Sequence, residues 1–415
     1  MADLYRKDWW LPLDEATDEP FSEKILIPWM KDMGVIPTKE DVFIRNQILH
    51  ILEQIVNDWI KDLAIRNDIE DLNAEIMPYG SYGLGVYSRN SDMDILVVAP
   101  KLASLEHDFF VQLRQLVDIH PASKNVRGVE GAKVSLLKFD MHGVEVDLAF
   151  ARLSRNSIPR AENLHEEQFC IQSAADSQSR MSLESVRSNW IILQAVGENR
   201  QIFVDATRLI KYWASSHGIY GNLNCYLGGI HLSVLVAYVI ARYNRKSLAG
   251  FVSQFFATFA HWMWPTPVLL QSARREVSPS LFLPIQKPAL KEHSMNKNHL
   301  FQVSVCNAES NLDKWLGFVK SRLAVLVRLL ERDGIACDPD LTEYMDLPSA
   351  KSTGFRAKNK VFLWGIVADS GEKYSLTRAE EDWRSNLMIN GDGSNGEVKL
   401  AVIPWDVFQI YKSRR

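Results

Sequence analysis

Cysteine is scarce in this chain of 415 residues. Only Cys170, Cys225, Cys306 and Cys337 occur, far apart and never in CxxC spacing. That pattern argues against a zinc site and against a disulfide framework. A reducing interior, cytosol or nucleus, suits it better than an oxidising compartment. Long apolar runs are missing too: no stretch approaches the ~18 residues that would suggest a membrane span. The start, MADLYRKDWW, lacks a basic segment followed by an apolar one, so no secretory signal is expected. Positive charge is not in excess either. Lys and Arg number 47 against 51 Asp and Glu, a net charge of -4. A protein coated in positive charge is excluded, but a local basic groove is not, because steering depends on where charge sits. What remains is ordinary: 47% hydrophobic and 24% charged residues fit a soluble globular protein with a sizeable core. The length suggests two or three domains.

There is no internal repeat and no low-complexity tract. Residues 1–37 are rich in Trp, Pro and acids, with little periodicity. Thr38 then reads as a helix N-cap with Asp41 three residues on. Ile44, Ile48, Ile51, Leu52, Ile55, Trp59 and Leu63 follow helical spacing. Residues 74–152 form a small α/β unit. It holds a short strand Ile95–Val98 ending at Pro100, a helix around Ser104–Leu116, and strands Lys133–Phe139 and Val144–Phe150 joined through Met141-His142-Gly143. From 182 to 262 the pattern is helical again: Ile202–His217 stops at Gly218, and Gly229–Tyr243 and Leu248–Trp262 are further helices. Residues 270–300 read as loop. One long amphipathic helix is expected over Leu312–Asp333, then a strand Val361–Ala368, a helix near Leu376–Leu387 and a strand Glu397–Pro404.

The informative stretch runs from Tyr79 to Asp94, YGSYGLGVYSRNSDMD. Asp92 and Asp94 are two apart at the start of an apolar strand, so they share a face, while Met93 and Ile95 take the other. Side-by-side carboxylates suit a hard cation, and Mg²⁺ favours a few carboxylates plus substrate phosphate oxygens. Two-metal phosphoryl transfer uses one ion for the attacking oxygen and one for the leaving pyrophosphate, and two ions usually need a third carboxylate. Asp147 is the candidate: in VEVDLAF, Val144, Val146 and Leu148 share the buried face, and Glu145 and Asp147 the other. Asp140 competes but lies at the turn, and Glu145 competes as well. Gly80-Ser81, on the way into the strand, can present backbone N–H groups and a hydroxyl to phosphates. Alone, such an Asp-x-Asp marks no more than a solvated strand end. The combination with Gly-Ser and a third carboxylate is far more specific.

At this point the chain resembles the eukaryotic nuclear poly(A) polymerases, members of the DNA-polymerase-beta-like nucleotidyltransferases. The likeness lies in GSYGLGVYSRNSDMDILVVAP, VEVDLAFARL, IKYWASSHGIYGNLNCYLGGIHLSVL and FATFAHWMWPTPVLLQ, in the family's order from about 38 to 405. It implies an α+β multidomain fold: a mixed-sheet nucleotidyltransferase catalytic domain, a helical middle domain and an RRM-like C-terminal domain. The implied boundaries are 1–63 for an N-terminal segment and helix packing with the middle domain, 64–167 for the catalytic domain, 168–298 for the middle domain and 299–415 for the RNA-binding domain.

The resemblance also implies roles. Asp92, Asp94 and Asp147 match the metal-binding aspartates, served by Mg²⁺ or by Mn²⁺ in its place. Gly80 and Ser81 match the triphosphate-contacting pair, Lys211 a lysine on the ATP phosphates, and Tyr220 a tyrosine near phosphate or sugar. Gly229 and Ile230 match the adenine pocket, and Asn189 an asparagine contacting the ribose. The implied activity is template-independent adenylate transfer from ATP to an RNA 3′ end, in the nucleus, alongside a cleavage and polyadenylation complex and away from membranes. RNA contacts are expected among Lys314, Lys320, Arg322, Arg328, Lys351, Arg356, Lys358 and Lys360. The chain departs from the family at Gly83, where the family has arginine. The segment from Trp264 to His299, which in the family carries an adenine contact, is also shortened here. Uridylylation, or a non-catalytic RNA-binding relative, are the alternatives these departures leave open.

Overall fold

Thr38 opens the long helix of the computed structural model as its sequence predicts. Its hydroxyl accepts from the Asp41 N–H, and the Asp41 carboxylate accepts from the Thr38 N–H at 2.8 Å, a complete capping box. The structure describes residues 21–130, 134–159, 164–166, 169, 172–221, 226–243, 247–263, 266–270, 299–307, 312–338, 344–345, 359–368, 376–389 and 396–404. The chain divides into two units, Met1–Trp213 with Gly229–Gln286, and Ala214–Gly228 with Lys287–Arg415. The expected loop over 270–300 and the shortened segment fall almost wholly outside the described residues. No described helix is long and apolar enough to cross a membrane.

In the first unit, α1 (Phe21–Asp32) precedes α2 (Lys39–Arg66), whose Ile48, Leu52, Ile55, Val56, Trp59 and Leu63 are buried. Each such side chain contributes roughly 1.5–3 kcal/mol by leaving water. The stripe packs on a five-stranded mixed sheet of order β1-β2-β5-β4-β3. Its strands are β1 (Glu75–Pro78), β2 (Met93–Ala99), β3 (Ser123–Val129), β4 (Leu136–Met141) and β5 (Val144–Arg152). β2 and β5 are parallel and every other neighbouring pair is antiparallel. Met93, Ile95, Val97, Val146, Leu148 and Phe150 face α2. Leu96, Val98, Ala149 and Ala151 face the opposite way, into a cluster with Leu183 and Val186 of α5 (Ser177–Val196). After the four-residue turn of helix α3 (Gly80–Gly83) and the short α4 (Arg114–Ile119), the unit is completed by α6 (Arg200–Ser216), α7 (Gly229–Ile240) and α8 (Leu248–Ala260).

Two differences from expectation have local causes. Leu105–Leu113 is π-helical and passes directly into α4. The Ser104 hydroxyl caps Asp108 four residues on, and the Phe109 N–H donates to the Ser104 carbonyl five residues back, so the first turn is widened. Asp108 is itself held there by Arg66 at 3.3 Å. Strands β1 and β3 were not anticipated, because neither carries a clean apolar alternation: β3 reads Ser-Lys-Asn-Val-Arg-Gly-Val.

The second unit contains β6 (His299–Asn307), α9 (Leu312–Lys320), α10 (Leu323–Arg332), β7 (Ile335–Asp338), β8 (Tyr344–Met345), β9 (Asn359–Ala368), α11 (Thr377–Ile389) and β10 (Gly396–Pro404). Its antiparallel sheet has the order β10-β6-β9-β7, with β8 beside β9. Leaving β8 aside, the succession β-α-β-β-α-β with this order is the split-βαβ, ferredoxin-like arrangement. The single helix expected over 312–333 is instead two. At the break the Ser321 hydroxyl donates to the Phe318 carbonyl, and the Trp383 indole donates to the Arg322 carbonyl at 3.0 Å. The same carbonyl also accepts from the Val325 and Leu326 N–H groups, at 3.0 and 3.3 Å, so the indole adds a tertiary partner at the start of the second helix. Replacing Thr38 by alanine should cost about 1 kcal/mol. Thermal unfolding should read this as a melting temperature lower by about 2–4 °C.

Candidate active site

The parallel register of β2 and β5 pairs Asp94 directly with Asp147. Asp92 lies just before β2, on the loop that leads into it. One carboxylate oxygen from each of Asp92, Asp94 and Asp147 falls within 4.8 Å of the others. Asp92 is exposed, Asp94 half-buried and Asp147 9% exposed. Burial pushes the Asp94 carboxyl up to about 7, and the like charges of Asp92 and Asp147 add to it. Burial raises Asp147 as well, with Lys138 opposing. The same group of charges, after burial, drives the Tyr79 phenol upward. Three carboxylates forced together at a half-buried strand end are a site short of positive charge, and a divalent cation suits that donor set.

Lys138 supplies part of the charge. It stands opposite Asp147 in the β4–β5 register and donates to both of its carboxylate oxygens, at 2.7 and 2.5 Å. It also lies 3.7 Å from Glu145. The rival third carboxylates are committed elsewhere. The Glu145 side chain is 50% exposed and pairs with Arg127 as well, while Asp140 accepts from the Asn125 side chain at 2.5 Å. Asp147 is therefore the third member.

Gly80 is required beside Asp94. Its φ is +60°, and a β-carbon there would fall 2.1 Å from Asp94 Oδ2. The backbone N–H of Ser81 donates to the Asp94 carboxylate. Asn189, on α5 and 5% exposed, donates from Nδ2 to the Gly80 carbonyl at 3.1 Å. Gly83 has no room for a side chain, since a β-carbon would lie 2.6 Å from the Pro78 carbonyl oxygen and 2.7 Å from Asn189 Nδ2. The loss of the family's arginine at this position thus goes with a closely packed turn.

The loop from Gly85 to Ser91 carries Asp92 at its end. Arg208 of α6 donates to the carbonyls of Gly85 and Tyr87, both at 2.9 Å. Arg45 of α2 donates to those of Arg89 and Ser91, at 3.0 and 2.7 Å. Both guanidinium carbons lie over the Tyr87 ring, at 5.6 and 5.0 Å from its centroid. One turn after Arg208, Lys211 is half-buried. Burial lowers its ammonium pKa, and the charges of Asp92 and Asp94 oppose that shift.

Gly229 and Ile230 begin α7, which packs against α3. They are thus in the triad's own unit, whereas Tyr220 belongs to the second unit. Of the candidate RNA-contacting residues, Arg328 is exposed, and Lys320 and Arg322 lie over the rings of Phe362 and Phe318. Lys351, Arg356 and Lys358 fall outside the described residues, as does the side chain of Lys314. Tyr79, Lys138, Arg45 and Arg208 were not singled out from the sequence. Lys138 was within reach, because counting back from the His142-Gly143 turn sets it opposite Asp147. The two arginines had no signal, since their loop partners are backbone carbonyls remote in sequence.

A mixed sheet with three clustered carboxylates, a glycine-led turn beside them and a lysine in electrostatic reach has the equipment of a nucleotidyltransferase. The family model for the poly(A) polymerase nucleotidyltransferase domain matches residues 14–196, and that for the poly(A) polymerase central domain matches 202–335. Nuclear poly(A) polymerase 3 of Arabidopsis thaliana is 32% identical, over 90% of this chain and 82% of its own. Nuclear poly(A) polymerase 1 of the same plant is 29% identical, over 91% of this chain and 63% of its own. The chain belongs to the poly(A) polymerase family. Among solved structures, Cid1 in complex with the UTP analogue UMPNPP aligns over 61% of this chain and 78% of its own, with 13% identity and a TM-score of 0.41. A likeness that slight carries nothing about base preference.

Two outcomes follow from the geometry. Gly80→Ala should lower Mn²⁺ affinity and nucleotide addition by about 100-fold, as expected when a ligand loses its orientation, while circular dichroism shows the fold retained. In the metal-free protein Asp94 holds its proton below about pH 7, so a metal must displace it. Apparent Mn²⁺ affinity, titrated from pH 6 to 8, should therefore rise up to about 7 and level off above. A flat profile would mean that Asp94 is already ionised at pH 6.

Proposed function

We propose that this chain is a template-independent polynucleotide adenylyltransferase that adds AMP from ATP to RNA 3′ ends, as in mRNA 3′-end polyadenylation. The observation that carries the reading is the Asp94–Asp147 register, with Asp92 completing a triad in a chain of this family. Asp92, Asp94 and Asp147 hold the divalent ions, Mg²⁺ or Mn²⁺ in its place. When bound, these supply the Lewis acidity that acidifies a 3′-hydroxyl and neutralises a departing pyrophosphate. The protein's own part is positioning and charge. Gly80, Ser81 and Lys211 hold the triphosphate in line. Asn189 serves the ribose while its Nδ2 steadies Gly80, and Gly229 and Ile230 line the adenine pocket.

The division into an N-terminal segment (1–63), catalytic domain (64–167), helical middle domain (168–298) and RRM-like domain (299–415) belongs to the same proposal. The β-α-β-β-α-β order of the second unit supports its last part. RNA is held there through backbone phosphates by basic residues such as Arg328. Phe362 and Trp364 are buried in that unit's core and do not serve as stacking platforms. The four similar Arabidopsis proteins are named as nuclear enzymes, which supports a nuclear location and, beyond that, work alongside a cleavage and polyadenylation complex.

Primer extension on an oligo(A) RNA with each NTP alone tests the reading. ATP should be incorporated best, and the Asp92→Ala, Asp94→Ala double variant should incorporate nothing. Strong UTP preference would make the chain a uridylyltransferase. RNA binding with no incorporation under Mg²⁺ or Mn²⁺ would make it a non-catalytic relative.

A further inference from the structure

The three carboxylates are not held alike. Asp94 and Asp147 lie within paired strands, where the ladder sets their backbone. Asp92 precedes β2 and is exposed, so its place depends on the loop behind it. That loop presents four alternate carbonyls, those of Gly85, Tyr87, Arg89 and Ser91, to two arginines from different helices. Arg45 is 1% exposed and the Arg208 side chain 9%. A buried guanidinium needs hydrogen-bond acceptors, and buried carbonyls need donors. Arg208 spans its two carbonyls with Nε and Nη2, one edge of its planar fork, which fixes their separation in a way that a single ammonium does not. Arg45 donates to both of its loop carbonyls from Nη2 and to the Asp41 carbonyl from Nη1 at 3.3 Å, which ties the loop to the first turn of α2. The bonds nearest Asp92 are those of Arg45, at Arg89 and Ser91. Those of Arg208 hold the opposite end, just after α3.

We propose that Arg45 and Arg208 are positioning residues for Asp92: together they set the path of the 85–91 loop and so hold this carboxylate at the triad. Neither touches the triphosphate or the RNA in this role. Arg208 has a second consequence. It shares α6 with Lys211, whose charged form the carboxylates of Asp92 and Asp94 favour, so one helix carries both an anchor of the loop before the triad and that lysine. The proposal rests on the reading of Asp92 as a metal ligand given above.

The test compares Arg45→Met, Arg208→Met and the conservative Arg45→Lys and Arg208→Lys with the wild-type chain. Three quantities are measured: Mn²⁺ affinity by titration with the metal alone, hydrogen exchange of the amides of residues 85–92, and nucleotide addition as a function of Mn²⁺ concentration. The methionine variants should bind Mn²⁺ about 10–100-fold more weakly and exchange the loop amides at least about tenfold faster. Their kcat should fall, with recovery at high Mn²⁺, while the KM for ATP changes little. The lysine variants should lie between. A purely structural role would lower the melting temperature without the recovery by Mn²⁺. If a methionine variant fails to fold, the lysine variant at that position carries the comparison. Mn²⁺ affinity within twofold of wild type in all folded variants would overturn the proposal and leave the adenylyltransferase reading intact. A wild-type chain that neither binds Mn²⁺ nor adds nucleotides would overturn both.

Discussion

β2 and β5 lie side by side in parallel, although the π-helical segment, α4, β3 and β4 separate them along the chain. A parallel neighbour cannot be reached by a tight turn. The crossover therefore has to be built and packed before Asp94 meets Asp147. Once it is, the register admits little slippage, because a shift of one residue would carry Val146 and Leu148 away from the core against α2 and turn Asp147 into it. The apolar sides of these strands, against α2, thus determine where the carboxylates on the other side come together.

The juxtaposition is unfavourable by itself. Burial first, and the like charges beside it second, raise the proton affinity of Asp94. The surrounding chain offsets this with near neighbours. The Ser81 N–H and the Lys138 ammonium favour the charged forms, Gly80 gives the turn its close approach to Asp94, and Asn189 steadies the Gly80 carbonyl. What they leave is a cluster still suited to divalent cations, which fits the poly(A) polymerase family. The strain of assembling the triad is set by packing remote from it, a common arrangement in preorganised sites.

The second unit shows the reverse relation between pattern and structure. Its helices are strongly amphipathic, and the stretch over 312–333 reads as one. It is instead two helices, and Trp383, from a helix much later in the chain, donates beside their junction to the Arg322 carbonyl, which also accepts within α10. Strands β6 and β7 were missed for a different reason. β6 lies inside its sheet and β7 at the edge, both pairing with β9 much later in the chain, and their identity comes from pairing more than from their own composition.

The sequence by itself was enough for the capping box at Thr38, the helical stripes of α2 and α6, the alternation on β2 and β5, and the nomination of Asp92, Asp94 and Asp147 as candidates. These are periodic or local features, and a side chain's face within one element follows from backbone geometry alone. Tertiary structure decided the rest. It selected Asp147 over Asp140 and Glu145 by register, set Lys138 against Asp147, and committed Asn189 to Gly80 and two arginines to the loop before Asp92. The contacts of Asn189 and of the two arginines join side chains to backbone atoms of other elements, whereas Lys138 could be counted back from the hairpin turn. A backbone carbonyl looks the same at every residue, so no pattern in the sequence marks which one an arginine will find.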